Sequence, residues 1–363
     1  MIYFDNAATT RVSQPVLAAM QACEADTYFN TNTAYAGGIR AAQAVHHARQ
    51  VLLNKLHSTK GQLLFTSGAT EANALILNQL IRRPNQGLIT LAGDHNSIYL
   101  PAKALGDRGF NTAIAPLLPD GRVDLTALAA LITDQTTLVM FSLVNSDIGI
   151  YQDAAALVAT VRARNPHVHI HADAAQAFAK FDFNVEQLGL DSVTICAHKI
   201  HGPKGIGALW VRHGLPLPER EGTLNNAGIV GFAAAAENFR CPTVPELHDY
   251  LVKHLPDGCR VNGLNNNPYL TNIALPGVFG ETVLNALSAH DIYVGVGSAC
   301  STHAKGNRTL AAMKFTPQQQ KQVLRLSFGQ DNTLTEVKTF LSVLQAVLPT
   351  IGGYQVFKQK GNR

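Results

Sequence analysis

A lysine and an aspartate each end a short apolar run in the middle of the chain. Lys199 ends SVTICAHK, and Asp173 ends the alternating run HVHIHAD. A lysine at a strand end in a partly desolvated cleft can have a lowered pKa and form a Schiff base with an aldehyde. A carboxylate near it can pair with a protonated pyridine nitrogen. Taken singly, a surface lysine and a helix-capping aspartate are the simpler interpretations.

The segment FTSGATEAN adds a potential site for an anion. A strand-like run ends in Ser-Gly-Ala-Thr, and a helix is predicted from Glu71 onward. Free amides at the N-terminus of that helix, with the Thr70 hydroxyl, can cradle a phosphate. An ordinary N-cap after a glycine turn is the alternative interpretation. Together with Lys199 and Asp173, the segment indicates a site for one cofactor, pyridoxal phosphate (PLP).

One cysteine lies in a segment that favours reactivity. Cys300 belongs to VGVGSACSTHAKGNR, where small residues allow a mobile loop and the basic side chains close by favour a thiolate. The alternative is a buried, inert thiol, which is our interpretation of Cys23, Cys241 and Cys259. The polar neighbourhood favours Cys300 as a nucleophile.

The elements that must position these residues follow a regular alternation. Runs typical of strands cover 62–68, 87–94, 136–145, 167–177, 192–199 and 205–211. Helical segments lie between several of them, at 71–81, 124–132 and 153–165. This alternation predicts a mainly parallel sheet covered by helices. Ligands bind at the C-terminal ends of the strands in such sheets, so the polar residues that close these runs are the candidate site.

The amino-acid composition of the chain changes near residue 240. Segments rich in Pro, Gly and Asn follow, and then two amphipathic helices are predicted at 282–292 and 334–348. We predict a large PLP-binding domain over 14–239. A small α+β domain would combine 1–13 with 240–363.

Composition excludes several classes of protein. The chain has 363 residues, 46% hydrophobic and 15% charged, with a net charge of +4, which is too mild to indicate nucleic acid or a membrane surface. No stretch approaches the roughly 20 apolar residues of a membrane span, and no secretory leader is evident. Five scattered cysteines without a CxxC pair favour a reducing, cytoplasmic setting. The sequence contains neither a Walker motif nor a GxGxxG pattern after a strand, so nucleotide binding is disfavoured.

A run of histidines on one predicted strand is the only candidate for a metal site. His167, His169 and His171 alternate with apolar residues and would share one face. Three imidazoles can bind zinc, but no fourth ligand is evident. We therefore predict no metal.

Motifs along nearly the whole chain resemble one enzyme family. DNAATT, FTSGATEAN, AGDHNS, VNSDIG, HADAAQA, AHKIHGPKG, GSACST and LRLSFG occur in this order. In this the chain resembles the NifS/IscS-like cysteine desulfurases of the class V aminotransferase group of fold-type I PLP enzymes. The resemblance implies an α/β architecture with a mainly parallel seven-stranded-type sheet, and an active site between domains at a homodimer interface.

The resemblance implies a role for each motif residue toward the cofactor. Lys199 would carry PLP as a Schiff base, with Asp173 on the pyridine nitrogen and Gln176 on the phenolic oxygen. His95 would stack on the ring and take part in catalysis. The remaining cofactor contacts would come from Ala69, Thr70, His198 and, from a neighbouring subunit, Thr223.

The resemblance also implies a reaction. Asn145 and Arg325 would hold the carboxylate of L-cysteine, and Cys300 would take its sulfur as a persulfide, with alanine as co-product. The sulfur would pass to an acceptor protein for iron–sulfur clusters or thiolated nucleosides. A PLP lyase acting on cystine or selenocysteine, and a scaffold that no longer turns over, stay open as alternatives.

Two places depart from the family pattern. Cys196 stands where these enzymes usually have a serine that donates to the cofactor phosphate, and a thiol is a poor donor. The segment 212–223 is shortened before Gly222 and Thr223. The shortening of this segment would change substrate access, specificity or acceptor docking relative to the family.

Overall fold

The secondary structure alternates between strands and helices along most of the chain. A computed structural model describes residues 1–217, 222–297 and 306–352. The strands are β1 (Ile2–Tyr3), β2 (Gln62–Thr66), β3 (Gly87–Leu91), β4 (Thr112–Ala115), β5 (Thr136–Ser142), β6 (His169–Asp173), β7 (Ser192–Cys196), β8 (Gly207–Val211), β9 (Arg260–Val261), β10 (Leu270–Ala274), β11 (Ile292–Tyr293) and β12 (Val323–Ser327). The helices are α1 (Gln14–Asp26), α2 (Ala36–Lys55), α3 (Ala69–Leu80), α4 (Asn96–Asp107), α5 (Leu125–Leu131), α6 (Ala154–Arg164), α7 (Asn226–Asn238), α8 (Val244–Lys253), α9 (Gly280–Ser288), α10 (Arg308–Ala312) and α11 (Leu334–Val347).

A seven-stranded sheet has the order β2-β8-β7-β6-β5-β3-β4. Within it, β8 runs antiparallel to both of its neighbours, and the other pairs are parallel. The predicted mainly parallel sheet is therefore confirmed. Strands β3, β7 and β8 are buried along their whole length, which is expected where helices cover both faces.

The edge strand β4 was not predicted from the sequence. The strand has only four residues, TAIA, is partly exposed and pairs with β3 at the edge of the sheet. Four residues with one face toward solvent give too weak an apolar signal to stand out from the surrounding loop. Several predicted strands also extend too far, because their polar ends form turns; the segment after β6 turns at residues 175–180.

Two smaller sheets join the N-terminal segment to the C-terminal third. Strand β1 pairs in parallel with β11, and β10 lies between β12 and β9 in an antiparallel sheet. Asp5 forms a further parallel bridge to Ser327. Both predicted amphipathic helices are present, as α9 and α11, and α11 begins with a capping box between Thr333 and Glu336. The division into 14–239 and 1–13 with 240–363 stays a prediction.

None of the helices in the described ranges is long and apolar enough to cross a membrane.

Candidate active site

A cavity of about 500 Å³ opens at the C-terminal ends of the central strands. Most of the site residues predicted from the sequence line it: Ala69, Thr70, His95, Asp173, Gln176, His198, Lys199 and Arg325. The N-terminal segment Ala7–Thr9 completes the wall. The sheet and the N-terminal segment together therefore enclose the cavity.

The amine of Lys199 contacts backbone carbonyls of the N-terminal segment. The lysine follows β7 through a short turn, and its Nζ donates to the carbonyl of Ala8 at 2.9 Å and to that of Ala7. Burial lowers the pKa of Lys199 to about 8, with smaller and opposing effects of the charged groups around it. The amine is thus uncharged in about a tenth of the molecules at pH 7, far more than for an unburied lysine, and the uncharged amine is the state that attacks an aldehyde.

The carboxylate of Asp173 is held at the end of β6. Its Oδ1 accepts from the backbone N–H of Ala175 at 2.9 Å, and its Oδ2 accepts from the amide of Asn73 at 2.8 Å. The residue is nearly buried yet lines the cavity. This is the arrangement expected of a carboxylate that pairs with a ring nitrogen.

The N-terminus of α3 forms a cradle beside the lysine. Its N-cap is Gly68, and no side chain caps the first turn, so the backbone amides there are available. Gly207 lets β8 approach this turn, because a Cβ at Gly207 would lie 2.8 Å from the carbonyl carbon of Gly68. Burial lowers the pKa of His198 to about 4, so its ring is neutral and offers hydrogen bonds rather than charge.

The orientation of the Gln176 amide is fixed by a second lysine that sequence reasoning missed. Lys180 Nζ donates to Gln176 Oε1 at 3.1 Å, and Gln176 Nε2 donates to the carbonyl of Ala7 at 2.8 Å. An ammonium can only donate, so the amide oxygen must face it. Burial, with a smaller contribution from the charge of Lys199, lowers the pKa of Lys180 to about 8. Its spacing of four residues from Gln176 within a turn is the signal that was overlooked.

His95 is placed by a buried aspartate at the end of β3. The carboxylate of Asp94 accepts from the backbone N–H groups of Leu91 and Ser142, each at 2.7 Å, and so ties the loop to β5. Burial raises the pKa of Asp94 to about 7. His95 then caps α4, where its Nδ1 accepts from the backbone N–H of Ser97 at 3.1 Å.

Arg325 occupies the opposite wall of the cavity. It lies in β12, where it is 2% exposed, and donates from Nη2 to Asp5 Oδ1 at 2.7 Å and from Nη1 to the carbonyl of Ser146 at 2.9 Å. Its Nε has no hydrogen-bond partner within the described residues. A buried guanidinium with spare donor capacity is suited to a carboxylate ligand.

Asn145 does not line the cavity, and its predicted role toward the substrate carboxylate stays a prediction. Its amide nitrogen donates to the carbonyl of Gly93 at 2.6 Å, and its Oδ1 accepts from the N–H groups of Asp147 and Ile148 at 2.8 and 2.9 Å. The side chain is therefore used inside the loop, and the next residue, Ser146, lines the cavity.

Three further predicted positions have different outcomes. Thr223 is exposed and does not line the cavity of its own chain, so its role toward a neighbouring subunit stays a prediction. Cys300 lies outside the described residues. Cys196 lines the cavity, and burial raises the pKa of its thiol to about 12, so it stays a neutral thiol at physiological pH.

Two of the three histidines considered as metal ligands are hydrogen-bonded to a serine, and the third, His167, is exposed in the turn before β6. His169 Nε2 and His171 Nδ1 each lie 2.7 Å from the Ser192 hydroxyl. Over the described ranges, no three or more histidine, cysteine, aspartate or glutamate side chains are grouped in a way that could hold a metal ion.

Comparison with known proteins identifies the family. The family model described as "Aminotransferase class-V" matches residues 2–217 and 214–340. The chain belongs to the class-V aminotransferase family. PLP is the cofactor of this family, so the cofactor, the fold-type I architecture and the enzyme class expected from the sequence are confirmed.

Relatives within the class-V family match nearly the whole chain. Cysteine desulfurase IscS 1 of Archaeoglobus fulgidus is 30% identical, covering 96% of this chain and 97% of its own. The putative cysteine desulfurase NifS of Bacillus subtilis is 29% identical, covering 94% and 93%. The predicted resemblance to NifS/IscS-like proteins is therefore confirmed.

Solved structures give the same result. A NifS-like protein has a TM-score of 0.87 at 29% identity and covers 96% of this chain and 100% of its own. SspA in complex with cysteine has a TM-score of 0.82 at 25% identity, covering 92% and 100%.

Proposed function

We propose that the chain is a PLP-dependent cysteine desulfurase, which converts L-cysteine to L-alanine and keeps the sulfur as a persulfide on Cys300. The observation that carries the proposal is one cavity that unites a lysine of lowered pKa, a buried carboxylate, an uncapped helix N-terminus and a buried arginine. The near full-length similarity to proteins named cysteine desulfurase supports it.

The chemistry of the lining groups fits PLP. Lys199 would attach covalently to the aldehyde, Asp173 would pair with the pyridine nitrogen, and Gln176 would donate to the phenolic oxygen. The amides of the first turn of α3, with Thr70 and His198, would hold the phosphate. When bound, PLP withdraws electrons from the carbon that carries the substrate amine.

Lys199 would also move protons during turnover. A group with a pKa of about 8 exchanges protons in both directions near neutral pH. Once released from the cofactor, its amine can take the proton from the substrate carbon and return one to the product. Burial, which lowers this pKa, therefore serves both attachment and proton transfer.

Arg325 would orient the substrate on the opposite wall. Its planar guanidinium binds a carboxylate through two parallel hydrogen bonds. The partner Asp5 and the carbonyl of Ser146 hold the side chain in place before the substrate arrives.

Cys300 would then act on sulfur. Its thiolate attacks the substrate sulfur; the sulfur–sulfur bond forms while the carbon–sulfur bond breaks. The electron pair of the broken bond stays on the carbon, which is protonated and becomes the methyl group of alanine. The persulfide on Cys300 is the form in which the sulfur leaves for an acceptor.

The assembly and setting follow as further parts of the proposal. We infer a homodimer in which Thr223 of one subunit reaches the cofactor phosphate of the other. The persulfide sulfur would pass to an acceptor protein for iron–sulfur clusters or thiolated nucleosides. The described cysteines are all unpaired, which supports a reducing cytoplasm.

The test is the substitution Cys300→Ser in the purified holoenzyme. Alanine formed from L-cysteine is expected to fall by about a thousandfold or more, because the nucleophile is lost. The visible absorption band of the bound cofactor should remain. Cys259→Ser is the matched control, since burial raises the pKa of that thiol to about 12 and it does not line the cavity.

Two outcomes would contradict the proposal. Undiminished sulfide release by Cys300→Ser would favour a PLP lyase over a desulfurase. A colourless wild-type protein that PLP cannot reconstitute would contradict the cofactor assignment itself.

A further inference from the structure

A line of buried hydrogen bonds runs behind Asp173, away from the cavity. His169 Nε2 lies 2.7 Å from Ser192 Oγ, and Ser192 Oγ lies 2.7 Å from His171 Nδ1. His171 Nε2 is 3.0 Å from Asn73 Oδ1, and Asn73 Nδ2 is 2.8 Å from Asp173 Oδ2. Ser192, His171 and Asn73 are 0% exposed. The line therefore connects the sheet interior directly to the carboxylate.

Chemistry fixes the direction of every bond in this line. A carboxylate accepts, so Asn73 must present its NH₂ to Asp173 and its oxygen to His171. Burial lowers the pKa of His171 to about 3, so its neutral ring carries one proton, which must be on Nε2. Nδ1 then accepts from the Ser192 hydroxyl. Ser192 in turn accepts from His169, whose pKa burial lowers to about 4.

A second arm leaves the same asparagine toward His95. Asn73 Nδ2 also donates to Ser97 Oγ at 2.9 Å, and Ser97 Oγ lies 2.9 Å from His95 Nδ1. That Nδ1 already accepts from the Ser97 backbone N–H, so a neutral His95 carries its proton on Nε2. One amide group thus supports both the carboxylate and the imidazole.

We propose that Asn73 is a positioning residue for the cofactor site, and that His171 holds its amide in the one orientation that serves both Asp173 and His95. Asn73 does not line the cavity, so it acts only through these neighbours. The inference rests on the proposed function in one respect: it takes Asp173 and His95 as the groups that face the PLP ring.

The test compares Asn73→Leu with Thr194→Val. Leucine keeps the branched shape of asparagine but removes both donors, which should weaken PLP binding about tenfold or more, because a hydrogen bond to a charged group is lost. The visible circular dichroism of the bound cofactor should change, because the orientation of its ring is no longer fixed. Thr194 Oγ1 lies 3.2 Å from His171 Nε2 but not in the line to Asp173, so Thr194→Val should alter the dissociation constant by no more than about twofold.

Ser192→Ala provides a second, milder test should Asn73→Leu fail to fold. Without the hydroxyl, His171 Nδ1 loses its donor, and the proton on Nε2 is no longer fixed. We expect PLP affinity to fall several-fold in the same direction. Unchanged PLP affinity and unchanged dichroism in the folded variants, with only a loss of stability against denaturant, would overturn the proposal.

These readouts are independent of desulfuration. A failure of the proposed function would appear as wild-type protein that binds PLP but forms no alanine, while Asn73→Leu still weakens PLP binding. A failure of the positioning role would appear as normal PLP binding by Asn73→Leu, whatever the turnover.

Discussion

The two walls of the cavity are built in different ways. The sheet wall (Thr70, His95, Asp173 and Lys199) consists of residues that lie at the ends of strands of the seven-stranded sheet or within four positions after them. The amine of Lys199 also donates to carbonyls of the N-terminal segment. The arm wall (Ala7 to Thr9, Ser146 and Arg325) depends on the meeting of β12 and the N-terminal segment across the fold. We infer that the sheet wall governs the cofactor and the arm wall governs the substrate, so each can be damaged separately.

The largest effect is expected on the sheet wall, from Lys199→Ala. Turnover should fall by about a thousandfold or more, because both covalent attachment and proton transfer are lost. Alanine formation from L-cysteine at saturating PLP measures it. Lys103→Ala, on an exposed helix surface, is the control. Substantial residual turnover would show that another group moves the proton.

A smaller effect is expected on the arm wall, from Arg325→Lys. Lysine keeps the charge but loses the planar fork, so the KM for L-cysteine should rise about tenfold. The dissociation constant of PLP should stay within about twofold of wild type. Steady-state kinetics and cofactor titration give the two numbers. An equal loss of affinity for L-cysteine and for PLP would contradict the separation of the two walls.

The smallest effect concerns an electrostatic influence of Arg325 on Lys199. Attachment of PLP to the cofactor-free protein should accelerate as pH rises through about 8, because the uncharged amine of Lys199 attacks. The charge of Arg325 lowers the pKa of Lys199, so Arg325→Gln should raise it and move the midpoint to higher pH. Stopped-flow absorbance across pH 6 to 10 (an ordinary range about the amine pKa) measures the midpoint. A shift to lower pH would contradict the electrostatic argument.

The same contrast explains what the sequence could predict. Lys199, Asp173 and Thr70 follow apolar runs directly, so strand-end reasoning placed them together before any coordinates. The partners of Arg325 and the amide orientation of Gln176 depend on contacts between distant segments, which no local pattern encodes. The placement of Asn145 has a related reason: motif resemblance gives the loop, but only the folded loop shows that Ser146 rather than Asn145 borders the cavity. The role of Asn145 toward the substrate stays a prediction.

Asn73 and Lys180 were missed because their roles are indirect. Each lies close in sequence to a recognised motif residue, yet each touches the cavity only through another side chain. The one sequence signal that could have identified Asn73 is an asparagine on the apolar face of the predicted helix, beside Ile76 and Leu77. For Lys180 the signal was its spacing of four residues from Gln176 within one turn.

The bridge between Asp5 and Ser327 has a consequence for biosynthesis. A ribosome delivers the first ten residues long before β11 and β12, so the strand partners of the nascent N-terminal segment are absent until most of the chain has emerged. The central sheet with Lys199 can form earlier, since its strands are complete by Val211. The lysine should therefore be able to capture its cofactor on a partly synthesised chain, whereas the pocket for the amino-acid substrate closes only at the end of translation.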